Sequence, residues 1–258
     1  MPEEPLQDTA GTYRAQNGED RWLDAYFAGK RDGFYVEVGA YDGSHLSNTY
    51  HFEQIGWTGV LVEPDPVMAA QCGRNRPRSR TFACAVVGPG EAGEIVFFRV
   101  SEGAVYSTTY LSPSHRQRLD KLGFNWEEIR VPARTLDSIL AEVAPARIDF
   151  VSVDVEGGEL HVLRGFDIGR WKPAMVIVES NARRRDQAIR DYFVEHGYAY
   201  RHSIDVNDFY APRAEGAIPV RIVDGARYLR HRIGRRLGRL GQLARRAWRK
   251  RVARAVDG

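Results

Sequence analysis

The chain has 258 residues, of which 43% are hydrophobic and 28% charged, so it can bury the core of one enzyme-sized domain. Residues 220–258 hold 13 Lys and Arg against two Asp, a charge of +11, whereas the rest of the chain holds 24 basic and 32 acidic residues, a charge of −8. This division excludes a protein that is basic throughout, and it argues against nucleic acid as the partner of the main domain.

The cysteines and the N-terminus bear on the cellular compartment. Cys72 and Cys84 are the only two cysteines and lack CxxC spacing, so neither a disulfide framework nor a zinc site is expected. The first residues, MPEEPLQDTAGTY, have neither the basic nor the apolar region of a secretory signal, and no stretch approaches 18 consecutive apolar residues. We therefore expect a cytoplasmic protein, unless another segment attaches it to the inner face of a membrane.

The first half of the chain predicts alternating strands and helices. Residues 1–15 read as a flexible polar arm, and residues 21–28 form an amphipathic helix. Three short apolar runs then predict buried strands, with helices between them. The strands are 34–38, 60–63 and 81–87, and the helices are 47–55 and 67–74. Because strand and helix alternate, we expect a parallel sheet with right-handed crossovers.

The second half begins with an irregular stretch and then returns to the same alternation. A return strand over 94–100 leads into a loop rich in Ser, Thr and Tyr. We interpret this loop as a lid that binds a substrate through Tyr106, Tyr110 and Trp126. Helices are expected from Thr135 and over 184–196, and strands over 148–153, 175–178, 198–203 and 206–210. The main domain is expected to span 16–211, followed by a linker over 212–225.

A glycine turn follows the first predicted strand. Gly39 and Gly43 permit a tight turn and a close approach of a ligand to the backbone, although the dinucleotide motif GxGxxG is absent. Glu63 ends the next strand, a position from which an acidic side chain accepts hydrogen bonds from ribose hydroxyls. Since Glu37 and Asp42 would repel phosphates but attract a cationic amino-acid group, S-adenosylmethionine fits the pattern. The alternative is an ordinary turn from strand to helix.

A second acidic cluster follows the strand over 148–153. Asp154, Glu156 and Glu159 share a six-residue turn, and Glu179 ends the next strand. Such a concentration of carboxylates is tolerated where it binds a cation or a positive ligand, or accepts a proton. For Glu159 and Glu156 the alternative is a favourable position at the positive end of the following helix.

Several motifs together resemble the FkbM-type S-adenosylmethionine-dependent methyltransferases. They cover about residues 15–211 in the family's order: QNGEDR at 16–21, FYVEVGAYDG at 34–43, LSNT at 46–49, GWTGVLVEPDP at 56–66, TLDSIL at 135–140 and IDFVSVDVEGGELHVLRGF at 148–166. The resemblance implies an α/β, Rossmann-like methyltransferase fold with a seven-stranded, mostly parallel sheet and flanking helices. It also implies O-methylation, often of sugar hydroxyls. Tyr41 stands where most methyltransferases have a further glycine.

The resemblance also implies roles for individual residues. The cofactor-binding residues would be Glu37, Gly39, Ala40, Asp42, Gly43, Glu63, Cys84, Ala85 and Asp154. Among these, Glu37, Gly39 and Asp42 would contact the methionine part, Glu63 the ribose, and Cys84 and Ala85 the adenine. Asp154 and Glu156 would face the transferred methyl group and the acceptor.

The chemistry requires removal of the acceptor's proton, because methyl transfer from a sulfonium is an in-line displacement. We expect Asp154 or His161 to act as the base with help from Glu179, and the carboxylates also leave room for a divalent metal ion. His161 has an alternative as an ordinary helix histidine.

The C-terminal tail, residues 226–258, predicts a basic amphipathic helix. Leu229, Ile233, Leu237 and Leu240 recur at three- and four-residue steps with arginines between them, and Trp248 continues the apolar stripe. Such a helix can lie on an anionic membrane surface. The alternatives are docking on an acidic domain of its own or a partner chain, and nucleic-acid binding.

The motifs and the tail together predict an O-methyltransferase that uses S-adenosylmethionine and acts on a sugar of a glycan, glycolipid or glycosylated natural product. Two alternatives remain: an N-methyltransferase of another small molecule, and a nucleoside-binding adaptor without turnover that is tethered by its tail. The acceptor, the methylated hydroxyl and the oligomeric state are not specified by the sequence.

Overall fold

The computed structural model describes residues 11–101, 104–180 and 183–213. The predicted basic helix over 226–258, most of the linker before it and the first ten residues of the predicted arm lie outside the described residues. The compact unit that contains the described domain ends at Pro212.

A seven-stranded sheet forms the centre of the domain. Its strands are β1 (Phe34–Val38), β2 (Thr58–Val62), β3 (Arg80–Phe82), β7 (Phe150–Val153), β8 (Met175–Glu179), β9 (Tyr198–Ile204) and β10 (Asn207–Pro212), in the spatial order β3-β2-β1-β7-β8-β10-β9. β10 runs antiparallel to both of its neighbours, and the pairs from β3 to β8 are parallel. The expected α/β, mostly parallel, seven-stranded sheet is confirmed. The switch point between β1 and β7 is where such sheets bind ligands.

Eight helices flank or follow the strands within the described residues. They are α1 (Glu19–Tyr26), α2 (Tyr50–Gln54), α3 (Pro66–Asn75), α4 (Pro113–Leu122), α5 (Leu136–Val143), α6 (Glu159–Arg164), α7 (Ile168–Trp171) and α8 (Arg183–Glu195). Asp65 caps α3 by accepting the Val67 amide at 2.8 Å, and Thr135 caps α5 through the Ser138 amide.

A second, three-stranded sheet contains the return strand. It consists of β4 (Ala85–Val86), β5 (Gly93–Val100) and β6 (Trp126–Arg134), in the order β4-β6-β5. The single strand predicted over 81–87 is therefore two strands, because the chain leaves the central sheet after Phe82 and joins the second sheet at Ala85. Between β5 and β6 lies α4, where the sequence predicted only a loop. We call the segment that begins with β5 and ends with β6, both strands included, the cap.

The core beneath the central sheet is aromatic. Phe52, Trp57 and Phe150 are each fully buried, and their ring centroids lie 4.8 to 5.9 Å apart. The Trp57 indole donates to the Lys30 carbonyl at 2.6 Å, so its polar atom is satisfied as well. This cluster supports β1 and β7, the two strands whose ends form the site.

The chain packs against the domain a few residues earlier than predicted. Thr12 Oγ1 lies 2.6 Å from His51 Nδ1, and the Tyr13 ring stacks on His51 at 4.0 Å. Asp20 accepts the backbone amides of Arg14 and Ala15 at 2.6 and 2.9 Å. From Thr12 onwards, the predicted arm is thus tied to α1 and α2.

Among the described residues, no helix is both long enough and apolar enough to cross a bilayer.

Candidate active site

A cavity lies where β1, β2 and β7 end. It encloses about 560 Å³, part of it open to solvent. It is lined by Val38, Gly39, Tyr41, Val62, Glu63, Pro64, Cys84, Ala85, Val86, Phe97, Val105, Ser107, Thr108, Thr109, Asp154, Val155 and Glu156. Strand ends therefore form its floor and the cap forms one wall.

Gly39 allows β1 and β7 to close together at the floor of the cavity. Its φ is +84°, and a Cβ atom there would lie 1.8 Å from the Asp154 carbonyl oxygen. Any side chain would push apart the two strand ends that carry the acidic groups. The tight turn predicted at Gly39 is present, and it serves the close approach of two backbone segments.

Glu63 points its carboxylate into the cavity from the end of β2. One oxygen accepts the Tyr41 amide at 2.8 Å and the other accepts the Asp65 amide at 2.9 Å, which fixes the orientation of the carboxyl group. The side chain is 6% exposed, and burial raises the pKa of Glu63 to about 8, with the Asp65 carboxylate acting in the same direction. A partner that donates hydrogen bonds to this carboxylate would favour its ionised form.

An apolar wall lies next to Glu63. Cys84, Ala85 and Val86 line the cavity together with Phe97 from the cap, and all four are buried. Burial raises the pKa of the Cys84 thiol to about 11, so the thiol stays protonated near neutral pH. A flat, largely apolar group such as a purine base fits between this wall and the polar carboxylate.

Three carboxylates meet at the other edge of the cavity. The side chains of Asp154 and Glu179 form a hydrogen bond with each other, so one proton is shared between them. Ligand oxygens of Asp154, Glu156 and Glu179 lie within 4.8 Å of one another. The ends of β7 and β8 thus bring together three of the four acidic residues predicted from the sequence. The fourth, Glu159, is the first residue of α6 and accepts the Gly157 amide at 2.7 Å.

Asp154 has the electrostatic environment of a base. Solvent reaches its side chain, yet the surrounding protein shields the carboxylate enough to raise the pKa of Asp154, and the carboxylates of Glu37 and Glu19 raise it further. The hydrogen bond with Glu179 acts in the opposite direction. A carboxylate with a raised pKa holds an abstracted proton more readily than an ordinary aspartate does.

Glu156 connects the acidic turn to the cap. Its backbone is left-handed, with φ +53°, and the Thr108 hydroxyl of the cap donates to its carbonyl at 3.2 Å. Its carboxylate lies 3.8 Å from His115 Nδ1 and 3.7 Å from Arg118 Nη1, both on α4. The cap is thereby held against the turn that carries Asp154.

A comparison with protein-family models finds the methyltransferase FkbM domain at residues 37–200, well over half of the chain. The chain belongs to this family. It is an S-adenosylmethionine-dependent methyltransferase, and the match spans the glycine turn, Glu63, the cap and all three carboxylates. A comparison with the curated proteins found no significant match.

Several solved methyltransferases show a distant overall likeness to this methyltransferase. A TehB-like SAM-dependent methyltransferase from Corynebacterium glutamicum is 12% identical, with coverage of 80% of this chain and 94% of that one and a TM-score of 0.42. Precorrin-6y C5,15-methyltransferase from Geobacter metallireducens is 11% identical, with coverage of 80% and 96% and a TM-score of 0.42. A Burkholderia thailandensis 1,6-didemethyltoxoflavin-N1-methyltransferase, solved with bound S-adenosylhomocysteine, is 12% identical, with coverage of 81% and 82% and a TM-score of 0.40. The family assignment rests on the domain match alone.

Not every predicted cofactor residue of the methyltransferase lines the cavity. Gly39, Glu63, Cys84, Ala85 and Asp154 do, whereas Glu37, Ala40, Asp42 and Gly43 do not. The Glu37 carboxylate is buried and accepts hydrogen bonds from the Ser47 and Thr49 hydroxyls and the Asn48 amide. Desolvation raises the pKa of Glu37, and these donors together with the Arg76 charge oppose the rise. Its observed contacts anchor the loop after the glycine turn, and its contact with the methionine part stays a prediction.

Asp42 and Gly43 shape the same loop. Asp42 accepts the amides of Ser44 and His45 at 2.8 and 2.7 Å, which closes a local turn. Gly43 has φ +76°, and a Cβ there would lie 2.9 Å from the Arg76 side chain. Both residues thus determine the course of the loop after the cavity floor.

The structure treats the other two residues predicted to take part in proton removal differently: Glu179 contacts Asp154, and His161 lies outside the cavity. Glu179 contacts Asp154, as predicted for an assisting group, although it does not line the cavity. His161 does not line it either, and its half-exposed ring lies 3.4 Å from Glu91. The geometry favours Asp154 as the base and an ordinary helix histidine at position 161.

The lid residues predicted from the sequence divide between cap interior and surface. Tyr106 lies under the Arg118 guanidinium, and Trp126 packs against Phe98 with ring centroids 5.5 Å apart. Tyr110 is 53% exposed. The cap residues that reach the cavity are instead Phe97, Val105, Ser107, Thr108 and Thr109.

Three supporting residues, Arg76, Glu19 and Asn207, were not singled out from the sequence. Arg76 is completely buried beneath the loop after the glycine turn. Glu19 is also completely buried; it accepts the Asn207 amide group at 2.7 Å and its charge acts on Asp154. QNGEDR was noted as a motif, but no signal in the sequence joins Glu19 to Asn207, which lies 188 positions away.

The raised pKa of Glu63 predicts a pH-dependent affinity for the cofactor. In the free enzyme Glu63 holds its proton up to about pH 8, whereas ribose hydroxyls donate to the ionised carboxylate. Binding should therefore tighten as the pH rises from 6 to 8, by at most about tenfold per pH unit. Calorimetric titration with S-adenosylhomocysteine across this window measures the effect.

Glu63→Gln supplies the control for that experiment. It should bind more weakly and lose the pH dependence, and an equally steep dependence in the variant would contradict the assignment. The unfolded chain releases the proton at a much lower pH than the folded one. The stabilisation that Glu63 contributes is therefore present at acid pH and lost as the pH rises through about 8.

Proposed function

We propose that the enzyme transfers the methyl group of S-adenosylmethionine to a hydroxyl of a sugar in a glycan, glycolipid or glycosylated natural product. The observation that carries this proposal is the meeting of Asp154 and Glu179 at the cavity edge, where their carboxylate oxygens lie within 4.8 Å of each other and of Glu156. Burial raises the pKa of Asp154, which suits this carboxylate to accept a proton. An alcohol needs a base to remove its proton as the new bond forms. A neutral amine attacks without one.

The proposed reaction is a single displacement. The acceptor oxygen forms a bond to the methyl carbon while the bond from that carbon to sulfur breaks, and S-adenosylhomocysteine leaves. The acceptor proton passes to the carboxylate of Asp154, so that the pair, which holds one proton in its hydrogen bond before the reaction, then holds two. The negative charge of the pair also favours the sulfonium, and that charge is lost at the same moment as the proton arrives.

The cap supports a sugar as acceptor. Ser107, Thr108 and Thr109 line the cavity beside the acidic edge, and Tyr110 follows them with its ring half exposed. Hydroxyl groups and an aromatic face are the features with which proteins bind sugar rings. The Thr108 proton is already donated to the Glu156 carbonyl, whereas Ser107, whose oxygen accepts the Val100 amide at 3.0 Å, can still donate its proton. Ser107 and Thr109 are therefore the hydroxyls we assign to the acceptor.

Mass spectrometry of cellular glycans and glycolipids tests the proposed acceptor. Cells with the enzyme should contain a species about 14 Da heavier, one CH₂ unit, that is missing in cells without it. Fragmentation must place the added mass on a sugar hydroxyl. A methyl group on nitrogen would support the competing N-methyltransferase, and bound cofactor without any methylated product would support the non-catalytic adaptor.

The three carboxylates also fit a divalent cation. Oxygen ligands about 2.1 Å from Mg²⁺ lie about 3 to 4 Å from one another, and the observed oxygens need only a small movement from their present spacing of up to 4.8 Å. Such an ion would supply positive charge to the acceptor oxygen. Thermal unfolding with Mg²⁺ and with EDTA tests this arrangement: a cation site predicts higher stability with Mg²⁺, and a proton-sharing pair predicts no change.

We further propose that residues 226–258 attach the enzyme to the inner face of an anionic membrane. The support is the sequence itself, in which a +11 segment with a periodic apolar stripe follows a −8 domain. The full chain should bind vesicles that contain phosphatidylserine, and a chain that ends at residue 219 should not. Equal binding of the two chains would remove the membrane proposal.

A further inference from the structure

Arg118 lies on the cap beside the acidic turn of the active site. It belongs to α4, its side chain is half exposed, and its Nη1 lies 3.7 Å from Glu156 Oε2. Its guanidinium carbon lies 4.5 Å from the centroid of the Tyr106 ring. Across the described part of the chain, this guanidinium has no partner within hydrogen-bond distance, so its N–H groups are available to a ligand.

The surrounding cap holds the guanidinium in place. Tyr106 packs against Phe124, and its carbonyl is contacted by His115 Nε2 at 2.8 Å. A guanidinium stacked on a fixed aromatic ring keeps its plane and presents its N–H edge sideways. Arg118 is therefore oriented by stacking on Tyr106 rather than by hydrogen bonding to a protein acceptor.

Glu156 does not accept a hydrogen bond from the Arg118 guanidinium. A separation of 3.7 Å is longer than a hydrogen bond, and an ion pair with a half-exposed partner is weak because water screens it. Glu156 is also shared with His115. A ligand with a well-placed anionic group can thus bind Arg118 without breaking a strong interaction.

The charge of α4 differs from that of its surroundings. Its ten residues include Arg116, Arg118 and Lys121 against Asp120, whereas the chain before residue 220 has a net charge of −8. Arg116 lies over the Trp126 ring at 5.3 Å, away from Glu156. The cap therefore places a basic group next to the acidic edge where the acceptor must enter.

We propose that Arg118 binds an anionic group, a carboxylate or a phosphate, on the acceptor. The planar fork of arginine matches both groups with two parallel hydrogen bonds. Glu156 lies between Arg118 and Asp154, so the anionic group and the reacting hydroxyl belong to one sugar or to adjacent units. This inference rests on the proposed sugar methylation and specifies its acceptor as an acidic one.

Binding of small probes tests the inference without turnover. Glucuronate, inorganic phosphate and glucose are titrated into the full chain saturated with S-adenosylhomocysteine, and binding is followed by NMR. The wild type should bind glucuronate or phosphate at least about tenfold more tightly than glucose. Arg118→Gln should lose this preference, whereas Arg116→Gln, the matched change on the same helix, should keep it.

The outcomes distinguish failure of the role of Arg118 from failure of the proposed sugar methylation. Preference for glucuronate identifies a uronic acid, and preference for phosphate identifies a phosphorylated sugar or lipid headgroup. Equal binding of glucose and both anions to the wild type, or an anion preference that survives in Arg118→Gln, would overturn the role of Arg118. A methylated amine as the cellular product, with the anion preference intact, would overturn the sugar proposal alone.

Discussion

Asp154→Asn should lower turnover by about 10² to 10⁴-fold, because the acceptor proton then has no base to receive it. The amide keeps the size of the side chain and a hydrogen bond to Glu179, so the affinity for S-adenosylhomocysteine should stay within a few-fold of the wild type. Release of S-adenosylhomocysteine in the presence of extracted cellular glycolipids and glycans measures turnover. Calorimetry measures the affinity.

Asp191→Asn is the matched control for that variant. Asp191 is an exposed carboxylate on α8 that accepts from Gln187, so the same change of charge there should leave turnover unaltered. Unchanged turnover in Asp154→Asn with intact cofactor binding would show that another group takes the proton.

Arg76→Met should lower the free energy of unfolding by about 3 to 5 kcal/mol, the usual effect of removing one partner of a buried ion pair. Arg76 Nε donates to Glu53 at 3.0 Å, and its other nitrogens donate to the Gly43 carbonyl, the Tyr35 hydroxyl and Thr49. Without these donors, the buried Glu53 and Glu37 carboxylates lose their compensating charge. Urea denaturation measures the loss.

Arg74→Met provides the comparison two residues earlier, in the last turn of α3. Arg74 is exposed, and within the described ranges its side chain hydrogen-bonds to Gln71 alone, at 3.3 Å, so its replacement should change stability by no more than about 0.5 kcal/mol. Because Arg76 also holds the loop from Gly43 to Thr49, Arg76→Lys should recover part of the stability but not all of the hydrogen bonds. Equal effects of Arg76→Met and Arg74→Met would contradict the structural role of Arg76.

The sequence predicted the central sheet well because its strands are continuous apolar runs that end at Gly, Pro or an acid. β1, β2, β7 and β8 all have this form, and their ends carry the predicted Gly39, Glu63, Asp154 and Glu179. β6 was missed because WEEIRVPAR alternates charged with apolar residues and contains Pro132, a pattern typical of an edge or a loop. α4 was missed because PSHRQRLDKL has only two leucines to mark a buried face.

The supporting residues of the site depend on contacts between distant parts of the chain. Arg76 stands in the run RNRPRSR and looks like a surface arginine, since its partners Tyr35 and Glu53 come from other elements. Glu37 was predicted at the methionine part from its position in the motif, yet its hydrogen-bond donors come from the loop over 47–49. Local patterns thus located the strand ends, and tertiary packing determined which side chains face the cavity.

Calorimetric titration of the full chain with S-adenosylhomocysteine tests the assigned cavity most directly. We expect saturable, one-to-one binding that Glu63→Gln weakens by about tenfold or more and Asp154→Asn leaves nearly unchanged. Absence of binding to the wild type, or equal binding to the wild type and Glu63→Gln, would contradict the placement of the cofactor between the ends of β1, β2 and β7.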